Sequence, residues 1–395
     1  MDNNRWVLPE GIEELLPGDA WQIERLRRDL LDLFFTWGYE LVIPPFVEYT
    51  DSLLTGIGGD LDLQTFKLVD QKSGRMMGIR ADMTPQVARI DAHQLGREQP
   101  TRLCYMGTVL RTHADDLSNK RSLMQIGAEL YGHAGVESDT EIIRLMLAML
   151  ERIEVGEIYL DLGHVGIFRA LAKQAGLDTA RESKLFDILQ RKAAPELEAL
   201  LAEVTMPDNV RAMLAELIWL NGGAEVLKTA RDRLKSADPT VAEAIDNLEI
   251  IADQLQKHSP DVELHFDLAE LRGYNYHTGV VFAAYIPGIG QAISQGGRYD
   301  HIGEAFGRAR PATGFTADLR ALMEYSAQSA DELPNGIYAP AQQDDALQAR
   351  IAELRASGER VVSALPGHED DARQMGCDRK LVKEKNKWVV SPVKN

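Results

Sequence analysis

The sequence predicts an α+β fold carrying a helical insertion and a small C-terminal α/β module, and three observations carry that expectation. Residues 122–131 alternate in the manner of a strand. A helix-like segment, about residues 167–258, interrupts the strand patterns, which resume at 262–268 and 280–285. A turn-rich polar stretch after about Ala327 separates a last, shorter alternation of strand and helix patterns. With 395 residues, of which 45% are hydrophobic and 26% charged, the chain is long enough for one large core and a smaller one.

The first element is a helix. From Trp21 to Trp37, apolar residues recur at Ile23, Leu26, Leu30, Leu33 and Trp37, in steps that keep them on one face, and Gly38 ends the run. Residues 39–49, TyrGluLeuValIleProProPheValGluTyr, read as a strand whose two prolines suit an edge or an interface rather than a sheet centre, so a dimer contact is expected there. In the 122–131 strand, Met124, Ile126, Ala128 and Leu130 share one face, and Gln125, Gly127 and Glu129 the other. The second face reads either as the polar floor of a small-ligand site, with Gly127 leaving space, or as a solvent-facing surface. The 167–258 segment is rich in Ala, Leu, Lys and Glu, with breaks at 208–209 and 221–223. Beyond the linker, Ile337–Pro340 reads as a strand, Asp345–Ser357 as a helix and Val361–Leu365 as a strand, followed by a second short helix and a strand at 388–393. The expected domains are therefore 1–327 and 328–395.

Composition excludes several classes. A formal net charge of −18 and a pI near 5.0 disfavour a broad grip on polyphosphate. The N-terminus lacks a secretory pattern, and no apolar run approaches a bilayer span, so a cytoplasmic protein without membrane contact is expected. Cys104 and Cys377 are far apart and lack ligand spacing; reduced thiols are expected, with no zinc and no cofactor.

Six segments occur in a fixed order: GlyIleGluGluLeuLeuProGly at 11–18, TrpGlyTyrGluLeuValIleProPro at 37–45, ArgAlaAspMetThrPro at 80–85, Arg111 with GlnIleGlyAlaGlu at 125–129, ArgGlyTyrAsnTyrHisThrGly at 272–279, and GlyGlyArgTyrAsp at 296–300. One such motif is weak, whereas six in order are specific. Over roughly residues 10–325 the chain resembles class II aminoacyl-tRNA synthetases, the histidine-specific branch in particular. The resemblance implies an antiparallel sheet flanked by helices, in a dimer. It also implies a histidine pocket. Asp82, Thr84, Gln125 and Glu129 match residues that hold the ligand's ammonium, Arg111 and Arg272 those that engage its carboxylate. Tyr276, His277, Gly127, Gly296, Gly297 and Arg298 match the wall around the imidazole.

Departures from the synthetase pattern concentrate on the ATP side. His113 stands where the family has a carboxylate for the adenine amino group, Leu123 where an aromatic ring stacks, and Ala321 where an arginine meets the γ-phosphate; Arg320 lies one residue off and should point elsewhere. Each missing contact costs about 1–3 kcal/mol, so three together weaken ATP binding by several decades if additive. Within the histidine motif, Asn275 and His277 replace an Asp and a Tyr. The tail is shorter than a synthetase's anticodon-binding domain, and its basic run at 379–387 reads as a nucleic-acid contact or as a solvated turn or hairpin.

This combination resembles the regulatory subunits of short-form ATP phosphoribosyltransferases, a family of synthetase paralogues. The resemblance implies a chain without chemistry of its own. It would activate short catalytic subunits at the first step of histidine biosynthesis, in a hetero-octamer of four regulatory and four catalytic chains, and confer feedback inhibition through L-histidine without binding tRNA. An active histidyl-tRNA synthetase and a stand-alone histidine-binding or RNA-binding paralogue are the alternatives. Histidine-dependent ATP/pyrophosphate exchange separates the first, and co-purification with a catalytic chain the second.

Overall fold

The computed structural model describes residues 6–55, 59–114, 119–270, 273–274, 276–326, 335–367 and 371–393. Two compact units emerge: Met1–Glu14 with Arg25–Ala327, and Leu15–Glu24 with Gln328–Asn395.

A nine-stranded sheet organises the larger unit. Its strands lie in the order Glu40–Leu41, Thr101–Leu110, Ser122–Tyr131, Ala312–Asp318, Ser294–Arg298, Val280–Tyr285, Tyr159–His164, Glu263–Asp267 and Asn221–Gly222. Its central pairings are antiparallel. Only Glu40–Leu41 on Thr101–Leu110 and Tyr159–His164 on Glu263–Asp267 run parallel. The order accounts for the interrupted sequence pattern: the segment between the Tyr159–His164 and Glu263–Asp267 strands is the helical insertion. Its helices run from Val165–Gln174 to Pro239–His258, and it returns to the sheet margin through Asn221–Gly222.

The Ser122–Tyr131 strand is paired along both edges, and Gln125 and Glu129 are both buried, so the face they share is not a solvent surface. Helices cover the sheet. Val136–Ile153 packs on the Ala312–Asp318 strand and on the Pro239–His258 helix, through apolar positions such as Ile142, Leu145, Met146 and Met149 that repeat at helical spacing and are fully buried.

The N-terminal helix spans Pro17–Thr36, longer than expected. Ile23, Leu26 and Leu30 are buried as their spacing implies, but the next core position is Phe34, whose ring meets that of Phe315 edge-on at 6.0 Å; Leu33 and Trp37 are half-buried. The 39–49 run is split at its prolines. Glu40–Leu41 forms the first margin of the large sheet, while Val47–Tyr49 joins Phe66–Val69 and Met76–Ile79 in a separate three-stranded antiparallel sheet. Proline without an N–H stands at the changeover, where no ladder bond is required of it.

The smaller unit holds a four-stranded sheet in the order Val361–Ser363, Gly336–Ala339, Cys377–Glu384, Lys387–Pro392, with the Asp345–Ala356 helix packed on it through Leu347, Ile351 and Leu354. The second short helix expected here is not found among the described residues. Turns at 372–376 lead instead into Cys377–Glu384, a strand hidden in the sequence by its lysines. The basic run is a hairpin, closed at Lys385 and Asn386 with φ of 44° and 69°. Its Arg379 pairs with Glu359 at 2.8 Å and its Lys383 with Asp344 at 2.7 Å.

Candidate functional site

Five neighbouring antiparallel strands, from Ser122–Tyr131 to Tyr159–His164, contribute to a cavity of about 190 Å³ in the larger unit. Its lining includes Asp82, Thr84, Glu129, Tyr276, His277 and Gly296 from the expected set, together with Tyr299, Phe282 and Phe315. Missing side chains make the space. A Cβ on Gly296 would overlap the Gly314 carbonyl, and one on Gly314 would overlap the Glu129 carboxylate. Gly127 serves a step further back: its Cβ would strike the Tyr105 hydroxyl and lie 2.6 Å from the Phe315 carbonyl oxygen.

A hydrogen-bonded network fixes the acidic side chains. The Gln125 amide donates to Asp82 Oδ1 at 2.7 Å, and its oxygen accepts the Met83 N–H at 2.8 Å. The Thr84 N–H donates to the same Asp82 oxygen at 3.0 Å. Both carboxylate and amide are thereby held in one rotamer at the mouth of the Thr84–Arg89 helix. The Thr84 and Tyr105 hydroxyls lie 3.0 Å apart, and Tyr105 donates to Glu129 Oε1 at 3.0 Å. The Tyr299 hydroxyl donates to the other oxygen of Glu129.

No Lys or Arg among the described residues bonds to Glu129. Burial pushes its carboxyl up to about 8, and the nearby Asp82 adds to that rise, against the opposing effect of the two phenols. The Tyr276 ring stacks on Tyr299 with centroids 4.9 Å apart, and its hydroxyl is buried without a partner. An orphaned polar atom of this kind is uncommon in a folded interior.

The remaining expected residues lie elsewhere. Gln125 reaches the cavity only through Asp82, and its side chain lines a second, neighbouring cavity of about 500 Å³. Arg111 lines that second cavity too, rather than the first. Gly297 backs onto the His277 ring, 2.7 Å from where its Cβ would be, so it seats the wall without touching the space. Arg298 departs from expectation. Its guanidinium is buried against Asp139, with Nε to Oδ2 at 3.0 Å, and also bonds to Ser138 and to the carbonyls of His133 and Gly135. The side chain next to the two glycines therefore points away from the cavity and ties the strand to the Val136–Ile153 helix. Arg272 and Asn275 lie outside the described residues.

Asp161, Glu270, Tyr105 and Tyr299 complete the acidic and phenolic surroundings without having been singled out in the sequence. Tyr299 falls inside the GlyGlyArgTyrAsp segment, which marks its neighbourhood but not its bond to Glu129. Tyr105 shares a strand face with Leu103 and Gly107, and no spacing distinguishes it.

The second cavity shares Gln295 and Thr316 with the first. Leu123 and Ala321 stand in its wall. Arg320 is turned aside, its guanidinium donating to the carbonyls of Ser122 at 3.1 Å and Glu13 at 3.3 Å. His113 is exposed and bonds to the Thr112 hydroxyl instead of lining the cavity.

Comparison with known proteins agrees with this layout. A sequence profile described as "Histidyl-tRNA synthetase" matches residues 11–322, and one described as "ATP phosphoribosyltransferase subunit HisZ C-terminal domain" matches 334–391. The ATP phosphoribosyltransferase regulatory subunit of Thioalkalivibrio sulfidiphilus is 58% identical over 391 residues, covering 99% of both chains. That of Pseudomonas syringae pv. tomato is 55% identical over 392 residues, covering 99% of this chain and 98% of its own. A solved structure titled as an ATP phosphoribosyltransferase regulatory subunit/histidyl-tRNA synthetase, from Bacillus halodurans, superposes with a TM-score of 0.82 at 28% identity, over 95% of this chain and 97% of that one. Histidyl-tRNA synthetase of Nostoc sp. PCC 7120 shares the fold, with a TM-score of 0.77 at 16% identity over 98% and 97% of the two chains. By full-length identity, by both profiles and by a synthetase-like sheet with this particular tail, the chain belongs to the family of ATP phosphoribosyltransferase regulatory subunits.

Proposed function

We propose that this chain is a non-catalytic regulatory subunit acting at the first step of histidine biosynthesis. It joins short catalytic chains of ATP phosphoribosyltransferase in a hetero-octamer of four and four, activates them, and transmits feedback inhibition when L-histidine occupies the Glu129 cavity. One observation carries this reading: an amino-acid-sized cavity with its acidic acceptors held in place lies beside a second cavity where Leu123 and Ala321 replace a stacking ring and a cationic side chain. The Asp82–Gln125–Thr84 cluster supplies acceptors for an ammonium group. Glu129 supplies a polar contact for a side chain with N–H groups, and Tyr276 adds to the wall beside it. Arg272 is assigned to the effector's carboxylate by its place in the motif.

Regulation of this kind is a coupling free energy, which requires histidine to bind one assembly state better than another. The chain works in the cytoplasm, needs no cofactor and does not charge tRNA. It pairs with a second copy through the exposed apolar stretch that includes Phe35, Leu41, Ile43 and Phe46. In the complex reconstituted with a catalytic chain, Glu129→Ala and Tyr276→Ala each weaken inhibition by histidine tenfold or more, on the order of the 1–3 kcal/mol that a lost buried polar contact costs. Undiminished inhibition in both variants rejects the assignment, and histidine-dependent ATP/pyrophosphate exchange by the isolated chain rejects the non-catalytic role.

A further inference from the structure

We infer that Glu129 is neutral in the empty cavity and ionises when a positively charged effector seats, so that effector binding moves a proton and reverses a hydrogen-bond chain in the wall. This rests on the proposed reading of the cavity as an amino-acid site and concerns its chemistry.

The geometry permits both states. Glu129 Oε1, the Tyr105 hydroxyl and the Thr84 hydroxyl lie in a row with successive separations of 3.0 Å, and in the Thr84–Tyr105 bond either oxygen can be the donor. With Glu129 ionised, Thr84 donates to Tyr105 and Tyr105 to the carboxylate. With Glu129 protonated, its O–H donates to Tyr105, which then donates to Thr84. No heavy atom has to move, because hydroxyl rotors alone carry the change.

The surroundings favour the neutral form until a cation arrives. Tyr105 faces Glu129 from the Thr101–Leu110 strand, Tyr299 from the end of the Ser294–Arg298 strand, Tyr276 from the preceding loop, and Tyr131 from Glu129's own strand. Asp82 faces it from the mouth of the Thr84–Arg89 helix, and Tyr39 lies within electrostatic reach. His277 meets the Tyr276 ring edge-on and lines the same cavity. The adjacent Ala312–Asp318 strand contributes Gly314, which brings only backbone against the carboxyl. Asp161 and Glu270 line the same cavity, so phenols and carboxyl groups surround Glu129, and among the described residues no Lys or Arg bonds to it. A fully buried carboxyl in this company keeps its proton at neutral pH, in line with a carboxyl pushed up to about 8. An ammonium or imidazolium entering the cavity supplies the missing positive charge. The carboxyl O–H bond then breaks, and its proton passes to water or to a basic nitrogen of the effector.

Infrared difference spectroscopy on the full chain at neutral pH, with and without saturating L-histidine, reads this directly, while calorimetry on the same samples establishes occupancy. The empty protein should show the C=O stretch of a buried protonated carboxyl. That band should disappear as histidine binds, and it should be absent from Glu129→Gln. Absence of the band in the empty parent chain, or its persistence when calorimetry shows the site full, overturns the inference while leaving the histidine site standing. A lack of any binding heat overturns the site assignment and this inference with it.

Discussion

Glu129 is the residue on which stability and recognition make opposite demands. A carboxyl group buried among phenols binds a proton more tightly in the folded chain than in the unfolded one. Its contribution to stability is therefore fully present below the unfolded value of 4.5 and is lost as pH rises through about 8. Glu129→Gln keeps the shape and removes the titration. The melting temperature of the empty variant should accordingly gain on that of the parent as pH is raised from about 5.5 to about 8.5, and a difference that stays flat across that range contradicts the burial argument. Gly314 sets the opposite limit, since any side chain there collides with the Glu129 carboxylate and lies 2.7 Å from the Ala128 carbonyl oxygen. Gly314→Ala should cost about 1–3 kcal/mol in denaturant unfolding and abolish histidine binding.

At this scale the sequence disclosed the residues that sit in ordered motifs. Asp82, Thr84 and Glu129 were legible because alternation and motif spacing fix which way they point. The partners of Glu129 were not, because Tyr105 and Tyr299 arrive from other segments and only the assembled sheet brings them together. Arg298 misled for a related reason. Its position in the motif is readable, but its direction is set by Asp139, a residue 159 positions away in the chain.

Elements obey the same division between local and distant information. The Ser122–Tyr131 strand and the Val280–Tyr285 strand carry their alternation or apolar run openly and fold with the bounds the sequence suggests. Cys377–Glu384 was concealed, because in a narrow sheet with one helix on it the lysines of a strand can extend into water along an exposed face. The split of residues 39–49 was half legible: the prolines signalled a margin, but the switch into a second sheet depends on the Met76–Ile79 strand waiting there.

One element-level tie is open to measurement. Arg298 and Asp139 are a buried ion pair joining the Ser294–Arg298 strand to the first turn of the Val136–Ile153 helix. Removing one partner leaves a buried charge, so Asp139→Ala should lower stability by about 3–5 kcal/mol. The paired replacement Asp139→Leu with Arg298→Met should recover a large part of that loss in urea unfolding; a double variant no better than the single one shows that the surrounding carbonyl contacts, rather than the charge pair, hold the joint.

For the molecule as a whole, the apolar side chains of the Phe35–Phe46 stretch are the clearest surface signal. Phe35 is 77% exposed and Ile43 80% exposed in the isolated chain. Exposure of that kind is what a contact with a second copy would cover. Ile43→Asp with Phe35→Asp should convert a dimer to a monomer in analytical ultracentrifugation without loss of helix or strand content, and an unchanged sedimentation coefficient places the dimer contact elsewhere. The sequence led to an expected dimer contact here from two prolines, and the structure leaves the apolar side chains around them exposed.

The two-residue bridge at Asn221–Gly222 has a practical bearing on how this protein can be trimmed. It is the last rung of the large sheet, contributed by the helical insertion, and it shields the outer backbone of Phe266 and Asp267. An engineered deletion of the insertion would strip that cover, leaving main-chain donors and acceptors in the open where another molecule can align with them. Shortened versions should therefore clump unless a charged or proline-bearing replacement caps the bared strand.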